Sequence, residues 1–218
     1  MKTTIKALTL ALCAVLLVVR TVFATLAYLT SKTEVVTNTF TVGNVTITLD
    51  EAKVTEYGEA IGEERTTEGN EYRLIPGHTY TKDPTITVSA NSEDCYVYAI
   101  VTIANFETLL EACGDDTLLP QNFVGGWDST VWNSTSYTIN ENGSATCLFT
   151  YSAVVERNET EATELAPVFT TITLPGNVVY EADLSGVQID VTGYAVQADG
   201  FATAADAWTA TFGAPANG

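Results

Sequence analysis

The stretch Tyr96-Val97-Tyr98-Ala99-Ile100-Val101-Thr102-Ile103 is an almost unbroken run of apolar and aromatic residues. β-Branched and aromatic residues are enriched in strands, and a strand in the middle of a packed sheet reads as a continuous apolar run. Residues 96–103 therefore predict a central strand, with other strands arranged around it.

The rest of the chain alternates between apolar and polar residues with the period of two that is typical of half-buried strands. This alternation runs through residues 40–49, 85–89, 146–155, 168–174 and 187–196. Turn dipeptides separate the runs: Pro76-Gly77, Asn91-Ser92, Asn142-Gly143 and Pro175-Gly176. Many strands with intervening turns predict a mainly β fold, an antiparallel sandwich or barrel.

Two short helices are predicted within this pattern. The first has apolar residues at helical spacing, with Asn105 as its cap and Gly114 at its end: Phe106, Leu109, Leu110 and Cys113. The second has a capping box from Thr203 to Asp206 and the following stripe: Phe201, Ala205, Trp208 and Phe212. We expect Trp208 and Cys113 to lie in the core.

Acidic residues dominate the charge of the chain. Among 218 residues, 27 Asp and Glu stand against 9 Lys and Arg, which gives a net charge of −18. Such a surface is unsuited to nucleic acid or to anionic membranes. Residues 56–70 and 156–164 are rich in acids and predict solvated loops, and we expect Glu51 to be solvated as well.

The N-terminus has the pattern of a signal peptide. A short basic segment precedes the apolar run at residues 7–19, which is shorter than the roughly 20 residues of a membrane span. We predict cleavage between Ala27 and Tyr28; the alternatives are cleavage after Ala24 and an uncleaved membrane anchor in which residues 21–29 extend the apolar run past Arg20. Residues 1–27 contain three cations and no acid, so this cleavage would change the net charge from −18 to −21.

These features predict four segments: a signal peptide at residues 1–27, an extended N-terminal arm at residues 28–39, a β-sandwich domain at residues 40–213 and a tail at residues 214–218. Four apolar residues, three in the arm and one at the start of the domain, could occupy grooves on a partner: Leu29, Val35, Val36 and Phe40. An extended arm can add as a strand to an exposed sheet edge of another molecule. The alternatives are a disordered tail and an ordinary edge strand of its own sheet.

No catalytic, metal or cofactor site is predicted. His78 is the single histidine and follows a Pro-Gly turn, and the chain lacks the HExxH and GxSxG motifs. Cys95 and Cys147 both lie in predicted strands, which leaves open a disulfide or two reduced core thiols.

Three aromatic residues offer a second function. Trp127, Trp132 and Tyr137 lie in a stretch rich in loops and could form a platform for a carbohydrate or host ligand, or could instead cover the core. If these residues form a ligand platform, the protein would be a monomeric surface binding module.

Several stretches resemble a family of exported proteins. The leader runs into Ala27-Tyr28-Leu29-Thr30 and then into residues 38–45, NTFTVGNV. Residues 74–83, LIPGHTYTKD, combine a Pro-Gly turn with a lysine-containing strand, and residues 192–198 read TGYAVQA. The chain resembles the SipW-dependent exported proteins of Gram-positive bacteria, the TasA and camelysin relatives.

The resemblance implies a jelly-roll-like β-sandwich that is secreted to the cell surface or the biofilm matrix and meets the membrane only during export. It implies processing by a signal peptidase of the SipW type and self-association, or association with a related matrix protein, through the N-terminal arm. Our first hypothesis is accordingly that the chain is a non-enzymatic structural protein. Its subunits would assemble into a fibre through the N-terminal arm. Camelysin relatives are also described as surface metalloproteases, a function that the missing HExxH motif does not support.

Overall fold

The computed structural model describes residues 30–34, 38–39, 41–42, 45–178, 184 and 186–213, and it describes side chains from residue 45 onward except at residues 135 and 136. The described chain is mainly β, with antiparallel pairing throughout, as predicted. Its strands are β1 (Thr30–Glu34), β2 (Asn38–Thr39), β3 (Thr41–Val42), β4 (Val45–Val54), β5 (Ala60–Thr66), β6 (Thr79–Thr81), β7 (Thr85–Val88), β8 (Cys95–Ala104), β9 (Val124–Gly125), β10 (Trp132–Ile139), β11 (Ala145–Tyr151), β12 (Thr163–Glu164), β13 (Thr171–Thr173) and β14 (Gln188–Gln197).

The predicted central strand is β8, which lies inside a six-stranded sheet with the order β10-β11-β8-β14-β1-β2. β8 pairs with β14 over ten residues, from Cys95 opposite Gln197 to Ala104 opposite Gln188. On its other side it pairs with β11. Both faces of β8 carry buried residues, for example Val97 on one face and Tyr98 on the other, which explains the unbroken apolar run.

A second sheet has the order β12-β7-β4-β3, with β5 also paired to β4, and a three-stranded sheet has the order β6-β13-β9. The main core lies between the first two sheets, where Val45 and Ile47 of β4 belong to one buried cluster with Val97 and Val101 of β8. This arrangement is sandwich-like, as predicted. The jelly-roll order of connections stays a prediction.

Both predicted helices are present, as α1 (Phe106–Cys113) and α2 (Ala204–Phe212). α2 covers the outer face of the six-stranded sheet, where Trp208 packs against Tyr98 with ring centroids 5.0 Å apart. The cap of α1 differs from the prediction, because the Asn105 side chain makes no capping hydrogen bond. Its amide instead donates to the Gly186 carbonyl oxygen at 2.8 Å.

Several predicted element boundaries are wrong. Residues 56–70 are not simply a loop, because they contain β5. The strand predicted at residues 146–155 ends at Tyr151, although Val155 still pairs with Cys95 as an isolated bridge. In the part of the chain that the structure describes, no helix is long and apolar enough to cross a membrane.

Candidate functional site

The N-terminal segment lies at a sheet edge of its own chain. β1 pairs antiparallel with β14, placing Thr30 opposite Val196, Ser31 opposite Ala195 and Lys32 opposite Tyr194. In this single chain the segment therefore pairs with its own sheet, with β1 beside β14 and β2 at the outer edge, which is one of the alternatives that the sequence left open. The predicted cleavage and arm residues lie outside the described residues: Ala27, Tyr28, Leu29, Val35, Val36 and Phe40.

The pairing of β1 with β14 is short. It covers three residue pairs, whereas β14 pairs with β8 over ten residue pairs. β1 then turns back onto β2 through Thr33 opposite Thr39 and Glu34 opposite Asn38. Since strand pairing is held by main-chain hydrogen bonds, a short ladder at an edge is the part of a sheet that opens most readily.

The structure contradicts the disulfide between Cys95 and Cys147. Both are free, buried thiols. Cys147 lies opposite Val101, six positions along β8 from Cys95, which is about 20 Å at the rise of a strand. A disulfide requires Cα atoms within about 7 Å, so these two residues cannot be joined.

His78 and the aromatic residues have structural environments. The His78 Nε2 atom lies 2.9 Å from the Tyr57 carbonyl oxygen, and its ring packs edge-on against Tyr80. Trp132 is fully buried and donates from Nε1 to the Ala166 carbonyl oxygen at 2.9 Å. Trp127 and Tyr137 pack against the same core, so these aromatic residues do not form an exposed platform.

No group of three or more His, Cys, Asp or Glu side chains in the described segments is arranged to hold a metal ion. The polar cluster that does stand out has a different composition: it consists of Glu51 on β4, Asn70 after β5 and Lys82 after β6. We call these three residues the Glu51 cluster.

Glu51 uses both of its carboxylate oxygens within this cluster. Lys82 Nζ donates to Glu51 Oε2 at 2.6 Å, and Asn70 Nδ2 donates to Glu51 Oε1 at 2.7 Å. Lys82 is only 4% exposed and Glu51 only 6%. A buried ion pair of this kind gains little net stability, because desolvation offsets most of the attraction, so stability alone does not account for it well.

Both polar atoms of the Asn70 carboxamide, Nδ2 and Oδ1, are hydrogen-bonded. Nδ2 also donates to the Ala52 carbonyl oxygen at 2.9 Å, and Oδ1 accepts from the Val54 backbone N–H at 3.0 Å. Nearby, burial and the Glu51 carboxylate raise the pKa of the Tyr72 hydroxyl, which donates to the Thr81 carbonyl oxygen at 3.0 Å. The cluster therefore has little freedom to rearrange.

A second set of charges involves the residues next to Glu51 and Lys82 in the sequence. Arg65 of β5 donates to Asp50 at 2.6 Å and to Asp83 at 3.0 Å. Asp83 also accepts a hydrogen bond from the Ala52 backbone N–H at 2.6 Å. These contacts connect β4, β5 and the segment after β6, the same three pieces of chain that supply the Glu51 cluster.

The sequence reasoning missed this cluster. The expectation that Glu51 is solvated is wrong, and neither Asn70 nor Lys82 was considered as a site. One signal was present: Tyr80, Lys82 and Pro84 alternate, and all three are buried. A lysine in phase with buried residues on a strand needs a buried partner.

No known protein supports an assignment at this point. The chain matches no family model, no curated protein and no solved structure.

Proposed function

We propose that this protein is a secreted, non-enzymatic structural protein of the cell surface or extracellular matrix. In this proposal a signal peptidase of the SipW type removes residues 1–27. The N-terminal arm then adds as a strand to a neighbouring copy, so that the subunits form a fibre. The proposal needs no cofactor and no catalytic residue.

The observation that carries the proposal is the position of β1 at the edge of β14. The strand lies close to the predicted N-terminus of the processed chain, and it pairs over three residues only. If β1 leaves this edge, the backbone groups of residues 194–196 become available to an identical strand from another copy. Strand addition of this kind satisfies the main-chain hydrogen bonds on both partners.

The second copy is favoured as the partner because it offers the same sequence in the same register. β14 and β8 form a long, fully paired ladder, which gives the receiving edge a rigid support. The buried residues beneath this edge, Ala195 and Val196, would be covered equally well by the arm of a neighbour. Exchange therefore needs no new recognition surface.

A disulfide lock tests the exchange directly. Ser31 and Ala195 are register partners, and directly opposed residues in an antiparallel pair lie within disulfide reach. In the doubly substituted Ser31→Cys, Ala195→Cys protein, oxidation would hold β1 on its own chain. We expect the oxidised processed protein to remain monomeric by electron microscopy and light scattering, and to form fibres once it is reduced.

Two controls accompany this experiment. The Ala195→Cys single variant measures the effect of a cysteine at this buried position and should polymerise under both redox conditions. A variant lacking residues 28–38 should remain monomeric under both. Polymerisation of the oxidised lock at the rate of the reduced form would overturn the exchange mechanism, as would a processed protein that never polymerises.

A further inference from the structure

The three side chains of the Glu51 cluster have the chemistry needed to form a covalent cross-link. Lysine supplies a primary amine, which is a nucleophile when neutral, and asparagine supplies a carboxamide carbon, which is an electrophile. Glu51 contacts the Lys82 amine through one oxygen and the Asn70 amide nitrogen through the other. We propose that Lys82 and Asn70 become joined by an intramolecular amide bond, with Glu51 transferring the protons.

The first step is the generation of the nucleophile. A proton moves from Lys82 Nζ to Glu51 Oε2 along their 2.6 Å hydrogen bond, which leaves a neutral amine and a neutral carboxylic acid. This transfer removes two opposite charges from a site that is almost closed to water, where maintaining charges is costly. The amine then attacks Cγ of Asn70.

The attack places negative charge on Asn70 Oδ1. This oxygen already accepts a hydrogen bond from the Val54 backbone N–H at 3.0 Å. A fixed backbone donor aimed at the oxygen where charge develops lowers the barrier of acyl transfer. The backbone of β4 thus supplies the group that stabilises the tetrahedral intermediate, next to Glu51 on the same strand.

The second proton transfer releases the leaving group. Glu51 gives its proton to Asn70 Nδ2, which lies 2.7 Å from Oε1, and the Cγ–Nδ2 bond breaks as ammonia leaves. The remaining excess proton on the new amide nitrogen passes through Glu51 to the ammonia, which departs as ammonium. One Nζ–Cγ bond forms, one Cγ–Nδ2 bond breaks, Glu51 is regenerated, and no oxidant or other reactant is consumed.

Burial and positioning separate this pair from the other lysine–glutamate contact of the described chain. Lys53 Nζ lies 3.2 Å from Glu64 Oε2, but these side chains are 52% and 60% exposed. There the lysine is exposed to water, and among the described residues no carboxamide donates to Glu64. The Glu51 cluster instead places the electrophile beside a buried lysine and a buried glutamate, which replaces an intermolecular encounter by a preset geometry.

The product would tie residue 70 to residue 82 across the face of β4. The closed segment contains Tyr72, the Pro76-Gly77 turn and the whole of β6. Such a bond survives denaturation, which suits a protein outside the cell. The inference does not depend on the exchange of β1, since it concerns a different part of the molecule.

Mass spectrometry of the purified protein tests the bond. The linked chain is lighter than its sequence by about 17 Da, the mass of the ammonia lost on amide formation. Trypsin would normally release residues 66–73, TTEGNEYR, and residues 74–82, LIPGHTYTK. In the linked protein we expect residues 66–73 to be attached to residues 74–157, with no cleavage after Lys82.

Variants assign the roles. Lys82→Arg and Glu51→Gln should restore the full sequence mass, and Glu64→Gln should leave the loss unchanged. Asn70→Asp should give a linked product of the same mass as the wild type, because water leaves in place of ammonia. Cyclisation of Asn70 alone would also lose ammonia, but it would leave Lys82 cleavable by trypsin.

The wild-type protein alone decides the question, whatever the folding of the variants. A folded wild type with its full sequence mass and normal cleavage after Lys82 would overturn the proposal. So would a mass loss that persists in folded Lys82→Arg.

Discussion

Burial alters the chemistry of the cysteines at the level of single residues. Desolvation is the main cause that raises the pKa of the Cys95 thiol to about 12, and the Asp94 charge adds to it. Desolvation also raises the pKa of the Cys147 thiol to about 11. Both residues are therefore neutral thiols in the folded protein at the pH of any ordinary environment, and they act as small core residues.

These shifts predict a loss of stability at alkaline pH. Above pH 9 the thiols of the unfolded chain release their protons while the folded chain keeps them, so the free energy of unfolding must fall as the pH rises. We expect a decrease of up to about 1.4 kcal/mol per pH unit for each thiol. Urea unfolding between pH 8 and pH 9 measures the onset of this fall; at higher pH the Tyr72 and Tyr98 hydroxyls, whose pKa values are also raised by burial, add to it.

Cys147→Ala is the matched control for this prediction. The substitution lowers stability at every pH by leaving a cavity, but it also removes one of the groups that titrate at alkaline pH. The slope of unfolding free energy against pH should become less negative in this variant. An identical slope in the two proteins would show that Cys147 does not contribute to the alkaline dependence.

Glu51 shows why single residues are harder to predict than strands. The charged residues Asp50 and Lys53 lie close to it in the sequence, and an acidic residue is on average solvated. Its burial depends on Asn70 and Lys82, which are 19 and 31 positions away and meet it only after β4, β5 and β6 are in place. The local alternation around Lys82 indicates that this lysine needs a buried partner, but it does not indicate which residue the partner is.

At the level of elements, the sequence predicted best where periodicity and termination signals agreed. α2 is an example, because Thr203 accepts a hydrogen bond from the Asp206 backbone N–H at 3.1 Å, as the capping box predicts. β5 is the opposite case. Most of its residues are exposed, so it has no apolar alternation, and it forms because β4 offers an edge.

The α2 cap gives a prediction at this scale. Thr203→Ala removes the side-chain acceptor, so the first turn of the helix that carries Trp208 loses a hydrogen-bond partner. We expect the free energy of unfolding to fall by about 1 kcal/mol, measured by urea denaturation followed by circular dichroism and by tryptophan fluorescence.

Two substitutions serve as controls. One removes only the methyl group at the cap, and the other replaces a threonine by alanine away from the cap. Thr203→Ser keeps an oxygen acceptor at the cap and should retain most of the stability. Thr209→Ala changes an exposed threonine inside the same helix and should be neutral or slightly stabilising, since alanine is the better helix former. Equal losses in Thr203→Ala and Thr209→Ala would contradict a specific role of the cap.

At the level of the whole molecule, the excess of acidic residues and the edge strand act against each other. An open β14 edge would invite pairing with any strand, whereas a net charge of −18, or −21 after removal of residues 1–27, keeps copies apart. Several of the few cations are already engaged with acids of their own chain: Lys53, Arg65, Lys82 and Arg157. Like-charge repulsion should therefore control the rate of assembly.

This balance predicts that salt and acid accelerate fibre growth. The Debye length falls from about 30 Å at 0.01 M salt to about 10 Å at 0.1 M, so copies approach each other more often at the higher concentration. Light scattering of the processed protein should show faster growth with added NaCl, and equal growth with KCl at the same concentration if screening is the cause.

Lowering the pH toward the isoelectric point, about 4.1 for the whole sequence, should also accelerate fibre growth, because the carboxylates become protonated. The oxidised Ser31→Cys, Ala195→Cys protein should stay monomeric under all of these conditions, which separates strand exchange from charge-driven precipitation. Growth rates that do not respond to ionic strength or pH would contradict the proposed control by repulsion.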